Sequence, residues 1–319
     1  MEQSGVARQL DDDLWLVDTQ FQGERQIIAS YLIAGEDGLA LVDVGAAATL
    51  GQLLAGVRAA GFDPSDITHL LLTHVHLDHA GATGALVRQL PRARVYVHRI
   101  GAPHLIDPSR LMRSAARIYG DRMEQLWGTM EPVPEDRLEI VDDGDEIHVG
   151  ARRLQALYTP GHAIHHIALY DEARGVAFPG DVAGVSIEGI DFVRPPTPPP
   201  DLSLEDWDES ITRLEALRLQ RLYLPHFGEV DEPVRHFASL RRRLHEWGEI
   251  ALSGMRAGKN DASIAADFAR AADPVIAEHA RKGEAEAVAV RRYELATNYL
   301  MSAQGYIRYY QKRHPELLC

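Results

Sequence analysis

Cysteine is almost missing from this chain: its 319 residues include one, Cys319, at the final position. An internal disulfide is therefore excluded, and so is a metal site built on several thiolates. Any metal here must rest on imidazole and carboxylate. Basic side chains are also in deficit, with 33 Lys and Arg against 47 Asp and Glu and a formal net charge of −14. So acidic a surface repels phosphate backbones and argues against a nucleic-acid partner. No apolar run approaches the length needed to cross a bilayer. The opening MEQSGVARQLDDD lacks the basic start and apolar stretch of a secretory signal. The expectation is a cytoplasmic chain with neither membrane nor nucleic-acid partner.

What is present is an ordinary globular balance, 45% hydrophobic and 25% charged. LWLV (14–17), SYLIA (30–34) and LALVDV (39–44) read as strands between turn residues. Leu50, Leu53, Leu54 and Val57 repeat at helical spacing, and Gly61 stops that helix. THLLLTH (68–74) reads as a buried strand, GATGALVRQL (81–90) as a helix and RVYVH (94–98) as a strand. Residues 108–129 read as helix with a break at Gly120. Strands follow at 137–141, 146–150, 152–158, 166–170 and 175–180, and Asp143-Gly144 predicts a hairpin joining the first two.

RPPTPPP (194–200) cannot join a ladder and must be a loop, either a rigid cleft wall or a surface connection. Ser203 and Asp206 open a helix with Leu204, Trp207, Ile211, Leu214 and Leu217 on one face. RLYLPHF (221–227) is the last strand. Beyond it the pattern is helical only: Phe237, Leu240, Leu244 and Trp247 mark one helix ended by Gly258, and two more are expected over 261–281 and 284–311. This divides the chain into an α/β domain, 1–230, and a helical C-terminal region, 231–319, through which a homodimer could form.

The chemistry concentrates at Thr73-His74-Val75-His76-Leu77-Asp78-His79-Ala80-Gly81. Four potential metal ligands fall within six residues, directly after an apolar strand. In extended backbone His74 and His76 point the same way, and loops at strand ends are where layered α/β folds place their active sites. The other histidines carry less. His165 and His166 start a strand and read as structural; His69 reads as packed; His98 and His104 flank a strand end. His148, His236, His245, His279 and His314 have no constellation around them.

THVHLDHAG resembles the HxHxDH signature of the metallo-β-lactamase superfamily. LVDVG with Asp43 and Gly45, TPGH with His162, FPGD with Asp181 and LPHF with His226 match the family's further elements in order. The resemblance implies an αββα four-layer sandwich with a C-terminal helical appendage. It implies that His74, His76 and His162 hold one metal, that Asp78, His79 and His226 hold a second, and that Asp181 bridges both. Asp43 would support the histidine loop from behind. Two divalent ions are implied, zinc foremost, with manganese or iron suited to the same donors. Paired metals of this kind acidify water for hydrolysis, and Asp78 would orient the nucleophile and move a proton.

The departures narrow the branch. Secreted β-lactamases of this fold commonly use a Cys ligand where this chain has Asp181. Flavodiiron proteins have Glu where it has His76, and lactonases often have Tyr where it has Gly184. The plan is most similar to the glyoxalase II branch, within an uncharacterised subgroup. The expected function is dinuclear hydrolysis of a thioester, lactone or phosphodiester. The alternative is a mononuclear iron persulfide dioxygenase resting on His74, His76 and Asp181.

Overall fold

The computed structural model describes residues 6–279 and 286–318. The chain divides into two compact units, the first comprising Met1–Tyr158 with His165–Gly180, the second Thr159–Ile164 with Asp181–Cys319.

Unit 1 contains a seven-stranded sheet of β1 (Ala7–Asp11), β2 (Leu14–Asp18), β3 (Ala29–Gly35), β4 (Gly38–Val42), β5 (Ile67–Leu71), β6 (Arg94–His98) and β7 (Leu138–Val141), in that spatial order. The pairs from β1 to β4 are antiparallel. The pairs from β4 to β7 are parallel. Parallel neighbours need crossovers. α1 (Leu50–Ala59) crosses from β4 to β5; α2 (Leu77–Ala80) and α3 (Thr83–Gln89) cross from β5 to β6. α4 (Ala102–Ile106), α5 (Ser109–Tyr119) and α6 (Met123–Trp127) cross from β6 to β7. Gly56 is required in α1, because a Cβ there would overlap the Val17 side chain. This topology sets the ends of β4 and β5 side by side, with Val42 opposite Leu71.

The unit also holds an antiparallel meander of β8 (Glu146–Val149), β9 (Arg152–Tyr158), β10 (Ile167–Asp171) and β11 (Val176–Phe178). Its core side meets the first sheet. Tyr31 of β3 and Phe178 of β11 pack edge-to-face at 5.3 Å, both buried. Burying such an aromatic side chain contributes roughly 1.5–3 kcal/mol. The hairpin expected at Asp143-Gly144 does not form, since β7 and β8 belong to different sheets. The turn exists, with Gly144 at φ +90°, but its polar groups bind β9: Gly144 N–H donates to Ala156 O (2.8 Å) and Asp143 Oδ1 accepts from Tyr158 N (2.7 Å). Those bonds turn the chain from one sheet into the next.

Unit 2 contains the hairpin β12 (Arg221–Leu224) and β13 (Gly228–Val230). Its helices are α7 (Leu204–Ala216), α8 (Pro233–Arg256), α9 (Asp261–Glu278), α10 (Glu286–Ala296) and α11 (Tyr299–Arg313). Ser203 caps α7, accepting from Asp206 N at 3.4 Å, and Leu204, Trp207, Ile211 and Leu214 form its buried face. The core of the helical part is aromatic: Trp247 stacks on Phe268 at 4.5 Å, and the Tyr306 hydroxyl donates to Leu244 O at 2.6 Å. The single helix expected over 284–311 is two. Asn298 restarts it, accepting from Met301 N at 2.8 Å, and an N-cap residue takes a non-helical backbone. The end of the expected 261–281 helix, the start of the 284–311 one, and Cys319 lie outside the described residues.

Candidate functional site

β4 ends at Val42, and the next residue, Asp43, takes a left-handed backbone at φ +54°. Asp tolerates that region better than most residues. Its buried carboxylate turns toward the end of β5. Asp43 Oδ1 accepts from Thr73 N (2.8 Å), and Oδ2 accepts from the Thr73 hydroxyl (2.8 Å). The same Oδ2 takes the Nδ1–H of His79 (2.8 Å). That bond leaves Nε2 as the lone-pair nitrogen of a fully buried ring. Asp43 therefore supports the histidine loop as the resemblance implied.

The loop runs past the strand it was expected to continue. β5 stops at Leu71, so His74 and His76 stand on irregular backbone. They still converge: His74 Nε2 lies 3.0 Å from His76 Nδ1. The His74 ring centre is 4.6 Å from that of His76 and 4.0 Å from that of His79. The Thr73 hydroxyl contacts His74 Nδ1 at 3.0 Å. Asp78 Oδ2 lies 3.5 Å from His79 Nε2. Three imidazoles and a carboxylate thus share a few ångströms, donors suited to a borderline divalent cation.

His165 and His166 stand behind this group. His165 Nδ1 accepts from Val75 N (3.5 Å), and its ring centre is 5.4 Å from that of His76. The buried His166 ring centre is 5.0 Å from that of His74. Gly180 must be glycine, at φ +57° with a Cβ excluded by the His166 ring and the Thr73 side chain. The Tyr119 phenol at the end of α5 is pushed above its ordinary range by desolvation and then by the negative charge of Asp78. His98 stacks on Tyr158 at 4.7 Å, and His69 on Tyr96 at 5.2 Å; burial lowers the basicity of both.

Unit 2 gathers His162, Asp181 and His226. Asp181 Oδ2 lies 3.4 Å from His162 Nε2, and its other oxygen, Oδ1, lies 3.5 Å from His226 Nε2. All three side chains are buried. His162 is held from behind, its Nδ1–H donating to Pro196 O at 2.8 Å. His226 follows β12 and is fixed by its backbone, its carbonyl accepting from Ser186 N at 2.6 Å. Trp207 braces two of the three: its ring meets that of His162 edge-on at 5.7 Å, and its Nε1–H donates to Val182 O at 2.8 Å. Gly161, at φ +128°, is needed there because a Cβ would overlap the Trp207 backbone.

Sequence reading gave Trp207 only a packing role and gave Pro196 no role of its own. The proline loop is not the surface connection that was one of the two expectations, since Arg194–Pro198 is buried inside unit 2. No sequence signal marks a backbone carbonyl as a partner, because every residue has one.

A family model described as the metallo-beta-lactamase superfamily matches residues 23–226. The chain belongs to that superfamily. It is 28% identical over 213 residues to a metallo-beta-lactamase fold-containing protein of Sulfurisphaera tokodaii, covering 66% of this chain and 76% of that one. It is 28% identical over 151 residues to a hydroxyacylglutathione hydrolase of Aeromonas salmonicida, 47% of this chain and 44% of that one. The chain thus spans less than half the length of this named hydrolase. A metallo-beta-lactamase family protein of Thermus thermophilus superposes over 95% of both chains with a TM-score of 0.65 and 23% identity. The fold is accordingly the superfamily's αββα arrangement of two sheets with helices, followed by C-terminal helices. No helix among the described residues is long and apolar enough to cross a membrane.

Proposed function

We propose that this superfamily member is a dinuclear metal-dependent hydrolase of a small ester-type substrate. In this reading His74, His76 and His162 hold one divalent ion, Asp78, His79 and His226 hold a second, and Asp181 serves both. The observation that carries the reading is Asp181, a buried carboxylate whose two oxygens each face a different imidazole nitrogen. A carboxylate with one oxygen toward each of two imidazole nitrogens suits two adjacent cations, whose mutual repulsion its charge offsets. The donor chemistry fits as well. His79 and His162 each donate Nδ1–H to a carboxylate or a carbonyl, which commits Nε2 as the ligand nitrogen.

Divalent ions held there supply acidified water and polarisation of a carbonyl or phosphoryl oxygen. The chain's own residues do the rest. Asp43 and Thr73 hold the histidine loop in one geometry. Asp78, with 17% of its side chain exposed, can reach solvent and substrate where its buried neighbours cannot. It orients the nucleophile and carries a proton to the leaving group. The relative named for hydroxyacylglutathione hydrolysis favours an acyl-thiol substrate over a phosphodiester. Zinc is the expected metal, and the chain acts on a small molecule in the cytoplasm.

Two measurements together test this. The protein purified from metal-replete medium is expected to carry close to two ions per chain. It is expected to turn over at least one member of a panel of thioesters, lactones and bis-p-nitrophenyl phosphate. Iron as the only metal, with oxygen uptake on a persulfide, would replace the hydrolytic reading with an oxidative one.

A further inference from the structure

The carbonyl that holds His162 belongs to a segment without a ladder of its own. Residues 192–198 are buried, yet their only sheet-like pairing among the described residues is a bridge from Arg194 to Val185. The prolines at 195, 196 and 198 have no N–H to anchor them. Besides that bridge, the segment is anchored by the helices α10 and α11 and the turn between them.

The buried Tyr293 hydroxyl donates to Phe192 O (2.6 Å) and accepts from Ile187 N (3.2 Å). Arg194 Nη1 donates to Glu294 Oε1 (2.9 Å) and to Thr297 O (2.8 Å). Its fully buried guanidinium lies 3.8 Å from the Tyr299 ring centre and 5.3 Å from that of Tyr293. α11 lies tight against the segment at Gly305, where a Cβ would overlap the Thr197 carbonyl oxygen. Pro196 stands between these two fixed points, Arg194 on one side and Thr197 on the other.

We propose that the C-terminal helices α10 and α11 are the positioning device for the metal ligand His162. They clamp the 192–198 segment at Phe192, Arg194 and Thr197. The Pro196 carbonyl is thereby fixed where it accepts Nδ1–H of His162, and Nε2 is aimed at Asp181 in one tautomer and one orientation. Tyr293, Arg194 and Gly305 are positioning residues acting through His162. The inference rests on the metal reading above, since a ligand must exist for its aim to matter. It gives the helical region a task in the chemistry although none of its side chains is a ligand.

The test uses the full chain loaded with zinc, with stoichiometry and affinity read by chelator competition. Wild type, Tyr293→Phe, Gly305→Ala, His162→Ala and the double variant Tyr293→Phe/His162→Ala are compared. Tyr293→Phe is expected to weaken one of the two ions about tenfold, the lower end of the effect of removing support behind a ligand, and to leave the other unchanged. Gly305→Ala is expected to do the same or more. In the His162→Ala background, Tyr293→Phe is expected to change nothing further, because the group it acts through is gone.

Wild type without zinc would sink the metal reading and this inference with it. Wild type with two ions, and folded variants that bind both as wild type does, would sink this inference alone. So would a Tyr293→Phe loss that persists undiminished without His162, the mark of general loosening. Should Gly305→Ala lose its cooperative melt, Tyr293→Phe, which removes one hydroxyl, decides the matter.

Discussion

His74, His76, Asp78 and His79 come from one short stretch, a loop running into α2, whereas His162, Asp181 and His226 come from three stretches of chain far apart in sequence. The first group is held by a single buried carboxylate, Asp43, reaching across from the neighbouring strand end. The second is held by backbone carbonyls, by the Trp207 ring and by the helices behind them. The first owes its geometry to local parallel pairing, the second to the packing of a whole unit. A contiguous group should therefore fail at single points, and a dispersed one should also fail through its scaffold.

The sharpest way to break the pair of groups is Asp181→Ala. Hydrolysis is expected to fall on the order of 10³-fold, the scale of removing a preorganised charge-stabilising group, with the melting transition kept cooperative. Steady-state kinetics beside a thermal melt check both parts. Asp43→Asn breaks the first group from behind. It keeps the volume but exchanges the acceptor that fixes His79, and metal affinity is expected to drop about 10–100-fold. Chelator competition reads it, and an affinity equal to wild type would remove Asp43 from the support of the loop.

Acid should act on the scaffold of the second group, beside Asp181. His236 on α8 is buried and donates to Ala183 O at 2.7 Å; burial pushes its pKa down to about 4. Its folded value lies below its unfolded one, so the unfolded chain binds the extra proton first. The stability from the neutral ring is complete above pH 6.5 and is lost as pH falls from there through 4. A shift of that size corresponds to roughly 3 kcal/mol. The wild type is expected to lose stability over this window, and His236→Gln to lose less. Equal pH slopes in denaturant melts would exclude His236 as the cause. The smallest effect expected is at the α7 cap: Ser203→Ala removes an acceptor for Asp206 N and should cost about 1 kcal/mol. If the dispersed group depends on its scaffold, this exposes it through Trp207 as a small loss of zinc affinity.

The sequence made the same distinction in its own way. Strands with apolar runs were legible, β6 and β9 to the residue, whereas β1 (Ala7–Asp11) and β13 (Gly228–Val230), which carry no such run, were not expected; the 74–79 segment was legible because its ligands are adjacent. His162, Asp181 and His226 emerged only through resemblance, since a lone His or Asp carries no local pattern. The strand-to-strand hairpin at Asp143-Gly144 was misread because turn chemistry fixes a bend and not the partner that follows. The break at Asn298 was lost inside a continuous apolar repeat. Trp207 read only as core and Pro196 only as loop, for their roles are set by tertiary contacts that no window of sequence contains.

Anomalous diffraction at the zinc edge, on crystals of the zinc-loaded full chain, tests the central claim most directly. The account predicts two peaks, one against His74, His76 and His162, the other against Asp78, His79 and His226, with Asp181 reaching both. Peaks confined to one group of ligands, or none at either, would contradict it.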